Sequence, residues 1–245
     1  MVATGHYCRK EVAKDTEGQD ITVNGKPVYR ILAGSDPNKD QSYFLFQLTQ
    51  FQLSRLLLPV GGYEKPAIRA LAEAHGLRNA QKPDSQDICF VPDGDYVHFL
   101  QNYGGVELIP GNFLDSAGRV LGRHKGLPCY TIGQRKGLGV AAGKHVYVLR
   151  KNAADNTILL GDNADLFTSV LTADRVNWIS GEVPGDPIRV CAKTRYSQTE
   201  AAATVIPLPE GRIRVEFEEP QRAVTAGQAV VLYDEEQVVG GGTIE

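Results

Sequence analysis

The sequence lacks the features of membrane and secreted proteins. No apolar run in its 245 residues approaches the roughly 18 needed for a membrane-spanning helix. The first ten residues, MVATGHYCRK, contain no apolar core of a signal peptide. The hydrophobic content of 42% and the charged content of 22% are those of an ordinary globular protein of one or two domains. We therefore expect a soluble, cytoplasmic protein.

Several motifs with known chemistry are also missing. The four cysteines form no C-x-x-C pair, which argues against a structural zinc site, and we expect no bound metal. There is no G-x-S-x-G nucleophile motif and no H-E-x-x-H zinc motif. The stretch GLGVAAGKH, residues 137–145, fails as a P-loop because Leu138 stands where the first glycine is needed and His145 where serine or threonine is needed.

Acidic residues are absent between Ser116 and Ala154, although the whole chain has a formal net charge of -3. The same window contains eight positive charges: Arg119, Arg123, Lys125, Arg135, Lys136, Lys144, Arg150 and Lys151. A basic segment on an otherwise acidic chain is typical of a surface that binds RNA or phosphate. A solvated basic loop region explains the same composition, and charge alone does not choose between the two.

The hydrophobic pattern predicts an α/β region followed by β structure. Residues 28–34 have strand character, residues 43–59 have helical spacing with a break near Thr49, and residues 65–76 and 95–103 are typical of helices. From about Gly104, glycine, proline and short extended runs indicate a small β-rich part that ends near Asp162. From about Ser169, short alternating strands favour a β-barrel or a sandwich.

Two short motifs contain candidate binding residues. In ATGHY, residues 3–7, Gly5 allows close approach of a ligand to the backbone, and His6 is either a donor to a base or phosphate or a structural histidine. In KTRYSQT, residues 193–199, Arg195 suits a phosphate and Tyr196 suits stacking on a base, if the two lie on opposite faces of a strand. The alternative is that Tyr196 belongs to the core and Arg195 is solvated.

Cys89 lies where a polar stretch, KPDSQD, meets an apolar one, ICFV. It is either a small hydrophobic side chain that fills a gap or a reactive thiol at a strand edge. The cation of Lys82 favours the thiolate, whereas the carboxylates of Asp84 and Asp87 oppose it. The residues alone leave both readings open.

Six motifs, taken in order, resemble the tRNA-specific 2-thiouridylase family over nearly the whole chain. They are ATGHY, DPNKDQSYFL, KPDSQDICF, YTIGQRKGLG, KTRYSQT and AGQAVVLYD. The resemblance implies a partial nucleotide-binding α/β domain with the persulfide cysteine over residues 1–103, a small β-rich central domain over 104–163 and a C-terminal, tRNA-binding β-barrel over 164–245. Members of this family replace the C2 oxygen of the wobble uridine with sulfur.

The resemblance also implies the roles of individual residues. ATP, used as a substrate and expected to act with Mg²⁺, adenylates the C2 oxygen, and a cysteine persulfide then supplies the sulfur. The persulfide is carried by the cysteine of the DICF motif, Cys89, and a sulfur-relay protein or a cysteine desulfurase delivers the sulfur. Gly5 matches an ATP contact, and seven residues match tRNA contacts: His6, Lys39, Asp40, Gln41, Arg195, Tyr196 and Gln228.

One departure from the family pattern affects the expected activity. The family has an S-G-G-x-D-S loop that binds the ATP phosphates and a second cysteine that forms a disulfide with the persulfide cysteine, and this sequence contains neither. We therefore expect the isolated chain to be inactive in the full reaction. The alternatives are a non-catalytic fragment that binds tRNA and holds sulfur, or half of a split enzyme. A weaker alternative is an RNA-binding β-barrel protein with an inert, buried Cys89.

Overall fold

The computed structural model describes residues 1–81, 91 and 94–245. The chain divides into two compact units. The first consists of Met1–Lys82, Ser169–Pro220 and Thr225–Glu245, and the second of Pro83–Thr168 and Gln221–Val224. Among the described residues, none of the helices has the length and the apolar composition of a membrane span.

The N-terminal part of the first unit contains short strands and helices. In chain order they are β1 (Val2–Ala3), β2 (Cys8–Val12), β3 (Thr22–Val23), β4 (Lys26–Pro27), β5 (Tyr29–Ala33), a 3-10 helix (Ser42–Leu45), α1 (Gln50–Leu53), β6 (Leu56–Leu57) and α2 (Lys65–Ala74). β1 and β6 pair in parallel, whereas β2 and β5 pair antiparallel. Asn24 and Gly25 both have positive φ, as a two-residue turn between β3 and β4 requires.

Helix α2 begins and ends as the sequence predicts. Pro66 lies in its first turn, where a missing N–H costs nothing, and Gly76 follows its end with φ of 66°. The buried Asp36 side chain accepts a hydrogen bond from the backbone N–H of Lys65 at 3.0 Å. The loop after β5 thus positions the start of α2.

The predicted long helix over residues 43–59 is wrong, although its break near Thr49 is confirmed. Thr49 caps α1, and its backbone N–H donates to the Gln52 side chain in a capping box. The Asn177 side-chain amide donates to the backbone carbonyls of Phe46 and Leu48, at 2.6 and 3.2 Å. These carbonyls are therefore committed to a tertiary contact, and the helical ladder stops.

A closed antiparallel barrel forms the rest of the first unit. Its strands are β11 (Phe167–Trp178), β12 (Ile188–Lys193), β13 (Ala201–Leu208), β14 (Arg212–Arg222), β15 (Ala229–Asp234) and β16 (Gln237–Ile244). They pair in the order β11-β14-β13-β12-β15-β16, and β16 closes onto β11. β5 pairs with β16 and β2 with β5, so the N-terminal strands extend the same sheet.

The second unit is β-rich. It contains α3 (Tyr96–Gly104), β7 (Gly111–Leu114), β8 (Val120–His124), β9 (Tyr147–Asn152) and β10 (Thr157–Gly161). The strands form one sheet in the order β8-β7-β10-β9 over a core that includes Phe113, Tyr130 and Ile158. The predicted fold class is therefore confirmed: an α/β region, a β-rich middle and a C-terminal β-barrel. The predicted domain boundaries remain a prediction.

Candidate functional site

The segment 39–41 lies in the loop after β5, at the end of a turn formed by residues 37–39. One oxygen of the Asp40 carboxylate accepts hydrogen bonds from the backbone N–H groups of Gly34 and Ser42, at 2.9 and 3.1 Å. Its other oxygen accepts from the Ser42 hydroxyl at 2.8 Å. Asp40 therefore orders its own loop, whatever else it binds.

Gln41 connects this loop to the ATGHY motif. Its side-chain oxygen accepts from the backbone N–H of Tyr7 at 3.0 Å, and its backbone N–H donates to the carbonyl of Tyr7 at 2.9 Å. The two bonds together imitate a strand pair. Next to Tyr7, the Nδ1 atom of His6 lies 2.8 Å from the Thr4 hydroxyl. His6 is thus placed directly beside the 39–41 segment.

Arg195 and Tyr196 lie in a loop after β12, so the prediction that they lie on a strand is wrong. The strand stops because the backbone N–H and the hydroxyl of Thr194 both donate to the Gln198 side chain, at 3.3 and 2.6 Å. This closes a short turn. Arg195 donates from Nη2 to the Thr225 hydroxyl at 3.0 Å.

Gln228 lies in the turn that precedes β15 and also contacts Thr225. Its backbone N–H donates to the carbonyl of Thr225, the residue that also binds Arg195. The Gln228 side chain is exposed. Arg195 and Gln228, predicted from separate motifs, therefore both donate a hydrogen bond to Thr225.

Three aromatic rings join the two loops. Tyr43 lies 5.5 Å from Phe44 and 6.1 Å from Tyr196, and Phe44 lies 4.6 Å from Tyr196, measured between ring centroids. We call Tyr43, Phe44 and Tyr196 the three-ring cluster. Tyr43 is buried and its hydroxyl donates to the Ala229 carbonyl, whereas Phe44 and Tyr196 are exposed. The buried ring fixes the position of the two exposed ones.

The three-ring cluster borders a pocket of about 270 Å³, here called the aromatic pocket. Its walls are Pro37, Asn38, Asp40, Tyr43, Lys193, Tyr196, Ser197, Gln198 and Thr199. Lys193 forms an ion pair with Glu200 at 3.1 Å, so its charge is already balanced. The pocket is therefore polar with an aromatic wall.

The ionisation of the tyrosines reflects the charges around them. Burial raises the pKa of the Tyr196 phenol, the Asp40 carboxylate raises it further and the Lys39 ammonium lowers it. Burial likewise raises the pKa of the Tyr43 phenol, and the Arg195 guanidinium lowers it. The charges of Lys39 and Asp40 thus act on Tyr196, and the charge of Arg195 acts on Tyr43.

All seven residues that the resemblance relates to tRNA lie in one chain of contacts in the first unit. We call this set the RNA cluster: His6, Lys39, Asp40, Gln41, Arg195, Tyr196 and Gln228. Sequence reasoning did not single out Phe44, Lys193 or Gln198, although all three lie inside the motifs that it used. Thr225, which joins Arg195 to Gln228, carried no signal in the sequence.

Gly5 lies at a different kind of position. It comes just after β1, at the carboxyl end of a parallel strand pair, which is where α/β proteins bind nucleotides. It is exposed, its φ is outside the positive range, and a Cβ placed on it would meet no atom of the described residues within 4 Å. Among those residues, neither strain nor packing therefore requires glycine here, and the open space beside them is available to a ligand.

Cys89, the predicted catalytic residue, lies outside the described residues. Of the described cysteines, Cys8 is fully buried, and burial with the nearby Asp40 carboxylate raises the pKa of its thiol to about 12. Cys129 and Cys191 are half-buried free thiols. Cys8 is therefore unsuited to nucleophilic chemistry near neutral pH.

The basic segment 116–154 lies in the second unit and its charges are only partly balanced. Arg119 pairs with Asp115 and Lys144 with Asp162, both at 2.7 Å, and Lys151 donates to the carbonyl of Tyr130. The other five cations are exposed: Arg123, Lys125, Arg135, Lys136 and Arg150. Within the described part of the chain, no group of acidic, histidine or cysteine side chains has the arrangement of a metal site.

Three family models match the chain in succession. The model described as tRNA methyl transferase HUP domain matches residues 1–93. The model described as tRNA methyl transferase PRC-barrel domain matches residues 97–162, and the one described as Aminomethyltransferase beta-barrel domain matches residues 168–244. The first and last of these matches contain all the residues of the RNA cluster.

Relatives with a common name match the chain from end to end. The tRNA-specific 2-thiouridylase MnmA of Moorella thermoacetica is 49% identical over 245 residues, which is 100% of this chain and 66% of that protein. The protein of the same name from Acetivibrio thermocellus is 46% identical, over 100% of this chain and 65% of its own length. The one from Roseiflexus castenholzii is 47% identical, over 99% of this chain and 67% of its own length.

The chain thus spans about two thirds of these relatives, 65–66% of the first two. The identity is close to one half over the whole chain, and the three family models match successive parts of it. Both compact units therefore lie within the matched region. The chain belongs to the tRNA-specific 2-thiouridylase family.

Proposed function

We propose that this chain acts in the 2-thiolation of the wobble uridine of tRNA. The observation that carries the proposal is that the segments 39–41 and 195–196 meet at the aromatic pocket. Asp40 and Tyr196 line the pocket, and the charge of Lys39 acts on the Tyr196 phenol. These segments are far apart in the sequence, and the fold places their cations, amides and aromatic rings side by side. That combination suits RNA, which offers phosphates and unpaired bases.

The RNA cluster has separate groups for the two kinds of RNA contact. Lys39 and Arg195 bring positive charge for the phosphate backbone, which dominates affinity for nucleic acids. His6, with Nδ1 near the Thr4 hydroxyl, presents its Nε2 atom as the remaining polar group, and Gln228 presents an exposed amide. Tyr196 provides a ring on which a base stacks.

ATP binds, in this proposal, at the carboxyl end of β1 against the backbone of Gly5. The match to a HUP domain over residues 1–93 supports this, as does the open space beside the Gly5 α-carbon. ATP transfers AMP to the C2 oxygen of uridine and releases pyrophosphate. The bound AMP then makes that oxygen a leaving group, and Mg²⁺ accompanies ATP as its counter-ion.

Sulfur reaches the uridine from a persulfide on Cys89. A sulfur-relay protein or a cysteine desulfurase delivers the sulfur, and the ionised terminal sulfur attacks C2 as AMP leaves with the oxygen. A second thiolate, which none of the cysteines in this sequence is expected to supply, then attacks the Sγ atom of Cys89. The sulfur–sulfur bond breaks, the outer sulfur stays on C2, and the two thiols are left as a disulfide, which a thiol reductant reduces again. The cytoplasm, which is reducing and contains tRNA, is the compartment that this sequence of steps requires.

Binding of a wobble-uridine tRNA transcript by the purified chain over a salt series tests the proposal. The Arg195→Ala variant should bind more weakly, with the logarithmic salt slope smaller by about one because one phosphate contact is lost. Lys14→Ala is the matched control, since Lys14 is exposed, pairs with Asp20 and lies outside the RNA cluster. Equal loss in both variants, or no loss in either, would contradict an RNA surface at this place.

A further inference from the structure

Two exposed aromatic rings of the RNA cluster region have no structural reason to face water. Phe44 is 52% exposed and Tyr196 is 43% exposed, and their rings lie 4.6 Å apart with an angle of 37° between them. Leaving apolar surface in water costs about 25 cal/mol for each Å². An exposed apolar patch with a polar border is typical of a binding surface.

Three exposed residues on the wall of the aromatic pocket have polar side chains that are available to a ligand. Among residues 1–81, 91 and 94–245, the side chains of Asn38, Ser197 and Thr199 form no recorded hydrogen bond. An amide and two hydroxyls supply both donors and acceptors. They line the pocket that has the Tyr196 ring as its aromatic wall.

The charges in the pocket disfavour an anion as the occupant. Lys193 is paired with Glu200, and the Asp40 carboxylate forms part of the wall. A phosphate inside the pocket would therefore meet a negative charge and no unpaired lysine. A flat, neutral group with polar edges fits the same surroundings, because it stacks on the ring and exchanges hydrogen bonds with the wall.

We propose that the aromatic pocket takes one unpaired nucleobase of the bound RNA, stacked on Tyr196, with Phe44 as a positioning residue that supports the Tyr196 ring. This inference rests on the proposed function. Phe44 packs on Tyr196 and meets Tyr43 edge to face, so its ring restricts the orientation of Tyr196. The Lys39 and Arg195 cations outside the pocket contact the phosphates that flank the base.

The test measures binding of a wobble-uridine tRNA transcript by the full chain and its variants. Tyr196→Ala and Phe44→Ala should each weaken binding by about 5-fold to 150-fold, since stacking of one base contributes about 1–3 kcal/mol. The salt slope should stay unchanged, because no phosphate contact is lost. Phe44→Tyr and Tyr196→Phe keep the rings and should restore binding.

Competition with unmodified RNA oligomers separates stacking from general damage to the surface. The wild-type chain should prefer a single-stranded competitor over a fully paired duplex, and Tyr196→Ala and Phe44→Ala should lose that preference. The thermal midpoint should fall by only a few degrees in both variants, because both side chains are about half exposed, so the chain stays folded in the binding assay.

The outcomes distinguish this inference from the function on which it rests. If Arg195→Ala weakens binding but the alanine variants at Phe44 and Tyr196 do not, the base pocket is wrong and the RNA surface stands. If Arg195→Ala also binds as wild type does, the RNA surface is wrong as well. Loss of affinity at Phe44 that Phe44→Tyr fails to restore would contradict the positioning role.

Discussion

Two glycines of the first unit should respond in opposite ways to the same added methyl group. A Cβ on the buried Gly61 would lie 1.7 Å from the carbonyl oxygen of Cys8 and 2.3 Å from its carbonyl carbon. Those atoms belong to β2, which is held in register with β5. A Cβ on Gly5 would meet no atom within 4 Å in the part of the chain that the structure describes.

The magnitudes follow from these distances. In Gly61→Ala, two backbone segments must separate by more than an ångström, and overpacking of this kind costs about 3 kcal/mol or more. Since each kcal/mol lowers the midpoint of a domain of this size by roughly 2–4 °C, the midpoint should fall by roughly 6–12 °C. In Gly5→Ala, the free energy of unfolding should change by less than about 1 kcal/mol, with stabilisation as the expected sign.

The effect on ATP affinity should be larger for Gly5→Ala than for Gly61→Ala, the reverse of the order for stability. If ATP lies against Gly5, the new methyl group occupies ligand space and should weaken ATP binding by about 5-fold to 150-fold. Calorimetric unfolding and ATP titration of the wild type and both variants give all the values needed. Unchanged ATP affinity in Gly5→Ala would refute the assignment of Gly5. An unchanged midpoint in Gly61→Ala would refute the packing argument.

Three further predictions concern stability. Gln41→Ala should lower the free energy of unfolding by about 1–3 kcal/mol, because the Tyr7 N–H loses its acceptor. Gln41→Glu keeps an acceptor and should destabilise less, so equal urea midpoints for the two variants would contradict this prediction. Gln50→Ala should destabilise by a similar amount, because its amide bonds both the N–H and the carbonyl of Tyr29, and a thermal midpoint equal to that of wild type would be the contrary result. The pKa of the Cys8 thiol is raised from 9.0 to about 12, so the stability that it contributes is complete below pH 9 and is lost as the pH rises toward 12. The free energy of unfolding should therefore fall with pH in this range, and Cys8→Ala should make the fall less steep by up to about 1.4 kcal/mol per pH unit. The same steepness in both proteins would contradict the burial argument.

Local sequence signals predicted the elements that depend on local chemistry. Pro66 and Gly76 predict the ends of helix α2, and the hydrophobic spacing predicts helix α3 and the break near Thr49. The capping side chains of Asp95 and Thr49 are findings of the structure. The barrel follows from short alternating strands. In each of these cases, the residues that decide the structure lie within one or two turns of the element itself.

Contacts between distant segments explain what the sequence did not predict. The helix expected after residue 43 stops because Asn177, far along the chain, binds the carbonyls of Phe46 and Leu48. The loop that contains Arg195 is a different case, because it forms through a local bond from Thr194 to Gln198, four residues later, that the hydrophobic pattern does not show. The sequence motifs contain all the residues of the RNA cluster, but only the fold shows that the Phe44 ring packs on the Tyr196 ring.

The central claim is that Cys89 carries the sulfur, and mass mapping after persulfide loading tests it directly. The purified chain is incubated with a cysteine desulfurase and cysteine, the thiols are alkylated without unfolding, and the peptides are identified. The account predicts one added sulfur atom on the peptide that contains Cys89, none on Cys8, and no transfer in Cys89→Ser. Sulfur on Cys129 or Cys191 with Cys89 unmodified, or a Cys89 that reacts only after denaturation, would contradict it.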